Sequence, residues 1–544
     1  MTGEQMNGYL AVTRFQSFKF AGLAGAVAIA LSLGGSPALA EVTPFKQAVA
    51  QAAYQDDVIA AFYKERGYKP LWTSNADRGR RKAFLKAAEE ARAHGLPGGR
   101  YDPEQIEALF RSAKSGTSRG KAEVELTKMF LRYARDVQSG ILIPERVVDG
   151  IERKAPRRRS SDILNAFAKS SPAPFVKSLA PQGAQYARLM EEKLRLERIL
   201  GSKGWGPKVR TSRKIEPGDS GKDVVGVRNR LIAMGYLKRT ASQTYDANMV
   251  KAMKAFQQDH GLFADGVIGK GTLKELNHEP QYRLQQVVVA MERERWMNRD
   301  LGRRHVLVNI PDFHARIVEN GKVAFQTRSV VGMNLTDRRT PEFSDVMNHM
   351  VINPTWNVPR SIATKEYLPM LQENPNAVSH LNLLDASGRR VSREGLDFTQ
   401  FNEKNFPFDM KQPPSNSNAL GLVKFMFPNP HNIYLHDTPH KSLFGRQTRA
   451  FSHGCIRLRD PFDFAYALLS KQTNDPQGFF KARLSTGKET RVDLKDPLQV
   501  HLIYRTAYTN AKGRTQFRDD IYGRDAAIFK ALSQAGVVLY AVQS

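Results

Sequence analysis

Ser452-His453-Gly454-Cys455-Ile456-Arg457-Leu458 carries the only cysteine in a chain of 544 residues. Gly454 makes the stretch a tight turn. Arg449, His453, Arg457 and Arg459 surround the thiol in sequence, a cationic setting that favours the reactive thiolate. The alternation of Asn432-Ile433-Tyr434-Leu435-His436-Asp437 predicts a half-buried strand. Ile433 and Leu435 face the core; Tyr434 and His436 share the other face and point toward a cleft. A cysteine that the fold brings beside a histidine is the minimal pair of nucleophile and base. A lone cysteine is otherwise a small buried hydrophobe. The polar, glycine-flanked context argues against that reading here.

His436 followed by Ser452-His453-Gly454-Cys455-Ile456-Arg457 resembles the signature of the L,D-transpeptidases with a YkuD-type catalytic domain. The resemblance to large multidomain members runs from about residue 50 to residue 535. It includes Val308-Asn309-Ile310-Pro311, Val330-Val331-Gly332 and Asn353-Pro354-Thr355-Trp356-Asn357-Val358-Pro359. It implies that Cys455 attacks a peptidoglycan tetrapeptide stem between diaminopimelate and the terminal D-Ala, forming a thioester. A second stem's amine then completes a 3→3 cross-link, and carbapenems acylate the same thiol. His436 is the implied base and later acid, oriented by the Asp437 backbone carbonyl. The N–H groups of His453, Gly454 and Cys455 form the oxyanion hole. Arg457, Tyr434, Ser452 and Trp356 are the expected substrate contacts. Asp437 is a departure, because many smaller members carry Gly or Ser there.

Neither a cofactor nor a metal is expected. His431, His436, His440 and His453 cluster in sequence, but Pro439 argues against a zinc-binding helix through His436 and His440. The 82 lysines and arginines exceed the 54 acidic residues, giving a formal charge of +28. Such a balance implies an anionic partner: nucleic acid, a membrane surface or an acidic wall polymer. No RNA-binding aromatic motif, zinc-finger spacing or DNA-reading helix appears, which argues against nucleic acid. Arg14 and Lys19, an apolar run from Phe20 to Gly35, and Ala38-Leu39-Ala40 read as a secretory signal peptide cleaved after Ala40. That places the protein in the periplasm; an uncleaved membrane anchor is the alternative. One cysteine allows no internal disulfide, and a thiol kept in an oxidising compartment fits a chemical role.

The expected fold class is multidomain α+β. A signal peptide (1–40) precedes a helical scaffold domain (41–210), whose Phe62-Tyr63 and Gly67–Trp72 aromatics pack a core. Arg153-Lys154-Ala155-Pro156-Arg157-Arg158-Arg159 reads as a solvated loop. Phe256-Gln257-Gln258, Gly261-Leu262, Asp265-Gly266-Val267-Ile268-Gly269 and Thr272-Leu273 resemble the three-helix peptidoglycan-binding domain of wall enzymes (211–280). A helical spacer that binds nothing is the bland alternative. The β-rich catalytic domain follows (281–484), with a turn at Asn320-Gly321. Its polar segment 360–417, unlike strands apart from a helix at Glu366–Gln372, reads as a capping insertion that gates the acceptor. Asp460 caps the helix after the cysteine. Residues 485–544 supply a strand at Val500–Thr506 and a helix that pack on the catalytic domain. Three functions compete: a cysteine transpeptidase on peptidoglycan, a cysteine hydrolase (carboxypeptidase) on the same stem, and a wall-binding scaffold with a dead site. Within the first, the acceptor is a stem peptide, a D-amino acid or a protein.

Overall fold

Asn320 and Gly321 both take positive φ, 51° and 74°, as a two-residue hairpin turn requires. They join β2 (His314–Glu319) to β3 (Lys322–Gly332), and β1 (Arg304–Asn309) precedes them. Further along lie β4 (Ser344–Ile352), β5 (Val423–Met426), β6 (Leu435–His436), β7 (Ile456–Leu458) and β8 (Thr490–Ile503). A computed structural model describes residues 42–541, so the signal-peptide segment lies outside the described residues.

The pairings close a ring in the order β1-β2-β3-β7-β6-β5-β4-β8 and back to β1. A closed ring leaves no long sheet edge open to other chains. Val306, Phe425, Leu435, Ile456, Val500 and Leu502 are buried in one cluster, which Phe464 and Leu468 of helix Pro461–Leu469 complete. Burying each such side chain contributes roughly 1.5–3 kcal/mol. Asp460 precedes that helix but does not cap it through its side chain, which accepts from Thr327 Oγ1 at 2.8 Å.

Three expectations are corrected. The C-terminal strand starts at Thr490 and lies between β4 and β1, inside the ring. Asp493, Lys495, Asp496 and Pro497 interrupt its alternation, and the ladder shifts register across that stretch. The helix that follows (Arg524–Gln534) shares a core with helices Ala184–Leu200 and Pro280–Trp296 rather than with the ring. The insertion does contain strands: Trp356–Asn357, Asp409–Gln412, Asn382–Leu384 and Arg390–Val391 form a small sheet over Leu371, Phe398, Phe406 and Met410. Finally, the basic run is a loop, but Arg153 is buried and donates to the carbonyls of Phe343 and Leu502.

The N-terminal region is helical, as expected. Trp72 is buried among Phe84, Phe130 and Phe167. Helices Lys222–Ala233, Ala247–Asp259 and Lys270–Leu276 close over Val224, Leu231, Met249 and Phe256 as a separate small core. Among the described residues no helix is long and apolar enough to cross a membrane.

Candidate active site

The site begins with two short parallel strands. Leu435 lies opposite Ile456 and His436 opposite Arg457. Side chains alternate along a strand. Leu435 and Ile456 therefore enter the core, and Tyr434, His436, Cys455 and Arg457 share the opposite face. The Tyr434 and His436 rings stand 5.6 Å apart. The thiol of Cys455, half-buried, lies 3.5 Å from the Asn432 carbonyl and within hydrogen-bonding reach of the Tyr434 hydroxyl. Its hydrogen-bond partner is thus the Asn432 carbonyl, with Tyr434 beside it, and the His436 ring stands one pleat further along. Catalytic hydrogen bonds are often long before substrate arrives.

His436 is 4% exposed, and its Nδ1–H donates to the Asp437 carbonyl at 2.5 Å. That fixes the tautomer and leaves Nε2 as the acceptor. Burial lowers the His436 pKa to about 3, and Arg457 reinforces the shift. Burial also pushes the Cys455 thiol up to about 11, outweighing Tyr434 and Arg457, which act the other way. The expected thiolate is therefore corrected: the resting pair is a neutral thiol and a neutral imidazole. Of the cations near Cys455 in sequence, Arg457 acts on the thiol and the other three turn elsewhere. Arg449 is buried and donates to the carbonyls of Phe313 and Ser329, His453 pairs with Glu366, and Arg459 turns to Asp460.

The turn before the nucleophile is pinned at several points. Gly454 has φ 115°, a conformation that side chains rarely adopt, and a Cβ there would press on Ile433. Ser452 Oγ accepts the Gly454 N–H at 3.2 Å and donates to the Cys455 carbonyl at 2.5 Å. Buried Ser452 is thus a staple of the turn rather than a substrate contact. The Gly454 N–H is engaged as well, so the expected oxyanion donors narrow. Among the described residues the N–H groups of His453 and Cys455 have no protein acceptor. Trp356 is also reassigned: at 8% exposure it belongs to the core of the insertion, edge-on to Tyr367.

Asp437 explains its own departure from the pattern. Its carboxylate accepts the Leu422 N–H at 2.9 Å, the Thr438 N–H at 2.7 Å and Lys441 Nζ at 2.6 Å. Gly421 leaves the room, since a Cβ there would overlap the carboxylate. The side chain fixes the backbone whose carbonyl orients His436. Two further contacts lay beyond sequence reasoning. Thr340 Oγ1 donates to the Gly454 carbonyl at 2.8 Å, and Glu366 of the insertion accepts from His453 Nε2 at 2.6 Å. Nothing local in the sequence marks either residue.

The four histidines near the cysteine disperse: His431 pairs with Glu152 and His453 with Glu366. Glu275, His278 and Asp519 do gather near one another. Arg283 and Lys274 already hold the two carboxylates at 2.6 and 2.9 Å, however.

Residues 303–492 match a family described as "L,D-transpeptidase catalytic domain", residues 220–276 one described as "Putative peptidoglycan binding domain", and residues 57–192 one described as "Scaffold domain". A Haemophilus influenzae protein named "Putative L,D-transpeptidase" is 33% identical over 225 residues, 41% of this chain and 45% of that protein. A Mycobacterium tuberculosis protein named "N-acetylmuramoyl-L-alanine amidase CwlM" is 35% identical over 77 residues, 12% of this chain and 19% of that protein. The chain thus spans less than half the length of these curated relatives. A solved L,D-transpeptidase structure from Xylanimonas cellulosilytica covers 55% of this chain and 100% of its own, with 14% identity and a TM-score of 0.17.

Proposed function

We propose that this chain, which carries an L,D-transpeptidase catalytic domain together with a peptidoglycan-binding domain and a scaffold domain, cross-links peptidoglycan stems through a thioester on Cys455. The observation that carries the reading is the shared strand face of Cys455, Tyr434, His436 and Arg457, with His436 oriented by the Asp437 carbonyl.

In the first step Cys455 Sγ bonds to the donor carbonyl carbon. The thiol proton passes to His436 Nε2 and from there to the departing D-Ala amine as the C–N bond breaks. The His453 and Cys455 N–H groups receive the oxyanion. In the second step an acceptor amine attacks the thioester, its proton returns through His436, and the C–S bond breaks. Because both partners start neutral, proton transfer accompanies attack rather than preceding it. Arg457 Nε is buried without a hydrogen-bond partner among the described residues. Its Nη groups make no hydrogen bond or ion pair among the described residues and are the part of the guanidinium that can meet a substrate carboxylate.

The net charge of +28 suits an anionic wall polymer. The peptidoglycan-acting domains put the work outside the cytoplasm, and we propose the periplasm as that compartment. The test is mass spectrometry of the mature protein with a disaccharide-tetrapeptide, beside Cys455→Ala. A dimer that has lost one D-Ala, absent with the variant, is the expected result. A trimmed monomer alone would make the protein a carboxypeptidase. No thiol-dependent product and no carbapenem adduct would leave a wall-binding scaffold.

A further inference from the structure

The capping insertion touches the catalytic turn at one carboxylate. Glu366 Oε1 accepts from His453 Nε2 at 2.6 Å and from an Arg338 guanidinium N–H at 2.7 Å. His453 stands two residues before the nucleophile. Arg338 belongs to the loop that also supplies Thr340, the donor to the Gly454 carbonyl. Three segments distant in sequence therefore meet at Glu366: the insertion, the loop after β3, and the turn that carries Cys455.

The local backbone is unusual at this point. Ala363–Tyr367 winds as a π-helix, a rare form that occurs mostly at functional sites. Its other side is anchored, because Ile362, Ala363, Leu368 and Leu371 are buried in the core of the insertion. Glu366 thus reports the position of the whole cap to the His453 side chain. The rest of the turn is already held from within the ring: Ser452 takes the Gly454 N–H and the Cys455 carbonyl, and Thr340 takes the Gly454 carbonyl. The Ser452 carbonyl, in the peptide that carries the His453 N–H, accepts the Met333 N–H at 2.8 Å, and the His453 side chain is the part of the turn held from the cap.

We infer that Glu366 is a positioning residue for acylation: it clamps His453 so that the N–H groups flanking Gly454 face the oxyanion only when the cap is seated. The inference rests on the transpeptidase reading and gives the insertion a role in the first chemical step as well as in acceptor access. A displacement of about 1 Å in such donors costs on the order of 10²-fold in rate.

The experiment follows carbapenem adduct formation on Cys455 by intact mass in the full chain, over a range of carbapenem concentrations. Glu366→Ala, Glu366→Gln and wild type are compared, with thermal midpoints recorded. The expected result for Glu366→Ala is a maximal acylation rate lower by on the order of 10²-fold, with the half-saturating concentration and the thermal midpoint nearly unchanged. Glu366→Gln, which keeps an acceptor for His453 Nε2–H, recovers most of the rate. Wild-type rates in Glu366→Ala, or equal losses in both variants that follow a lowered thermal midpoint, overturn the inference alone. A wild-type protein that takes no adduct overturns the cysteine-acylation reading itself.

Discussion

Thr340 Oγ1 holds the Gly454 carbonyl at 2.8 Å, one residue from the nucleophile, while accepting the Gly332 N–H at 2.9 Å. This hydroxyl links the end of β3 to the catalytic turn and is buried. Thr340→Val keeps the shape and removes both bonds. Leaving a buried carbonyl and N–H unpaired costs about 1–3 kcal/mol each. The expected outcome is a lower urea midpoint, with acylation of Cys455 slowed on the order of tenfold. Denaturation and adduct kinetics on the same preparation check it.

The neutral catalytic pair has a pH signature. Folded His436 stays neutral down to about pH 3, whereas an unfolded histidine protonates near 6.5. Between those values the unfolded chain binds the extra proton, so stability falls as pH drops through the window. Cys455 holds its proton up to about pH 11, whereas an unfolded cysteine ionises near 8.5. There the folded state binds more protons, so stability falls as pH rises. Urea midpoints against pH should fall less steeply above about pH 8.5 in Cys455→Ala, the remaining fall belonging to buried tyrosines such as Tyr63 and Tyr504. In the resting wild type, alkylation by iodoacetamide should keep rising toward pH 11. A plateau reached by pH 7 would mean a preformed thiolate.

Much of this site is legible in sequence because its chemistry lies in two short, alternating segments. Tyr434 and His436 share a face, as spacing predicts, and the strand register brings Cys455 and Arg457 to it. The electrostatics were not legible, since proximity along the chain says nothing about direction. Arg449 turns to backbone carbonyls and Arg459 to Asp460, so the thiol meets burial before it meets charge. The insertion's sheet escapes pattern reading because its strands are two to four residues long, too short to display a period. Arg153 misleads for a related reason. It sits in a basic run that reads as solvated, yet tertiary contacts bury that one member against Phe343 and Leu502.

Asp437 separates the roles of a side chain and its own carbonyl. Asp437→Ala keeps the acceptor for His436 Nδ1–H but leaves the Leu422 and Thr438 N–H groups unpaired. A stability loss of about 2–4 kcal/mol is expected. Asp437→Asn retains an acceptor and should lose less. If the carboxylate works only by fixing the backbone, acylation in the two variants should track the stability loss. Urea denaturation and adduct kinetics, measured across the pair, check this. Wild-type stability in Asp437→Ala would mean that the three bonds to its carboxylate contribute nothing.

Glu342 ties the catalytic loop to the rest of the molecule. It is buried, takes Arg293 at 2.6 Å and Arg524 at 3.2 Å, and its backbone bonds to Gly150 and Glu152. Arg524 also donates to the Thr340 carbonyl at 3.0 Å, two residues from Glu342. Helix Pro280–Trp296, the segment Gly150–Glu152 within the helical region and the C-terminal helix thereby converge behind the turn that holds Cys455. Removing one partner of a buried ion pair costs about 3–5 kcal/mol, because the other charge stays buried. Glu342→Gln strands Arg524 most, since Arg293 retains Asp525 at 3.0 Å. The variant should melt earlier and acylate Cys455 more slowly even at temperatures where it is fully folded. Replacing Arg524 as well, in Glu342→Gln with Arg524→Met, should restore part of the stability by removing the stranded charge. It should not restore the acylation rate, because replacing Arg524 also takes the donor from the Thr340 carbonyl. Recovery of both together would mean that the cluster supports the fold without positioning the turn.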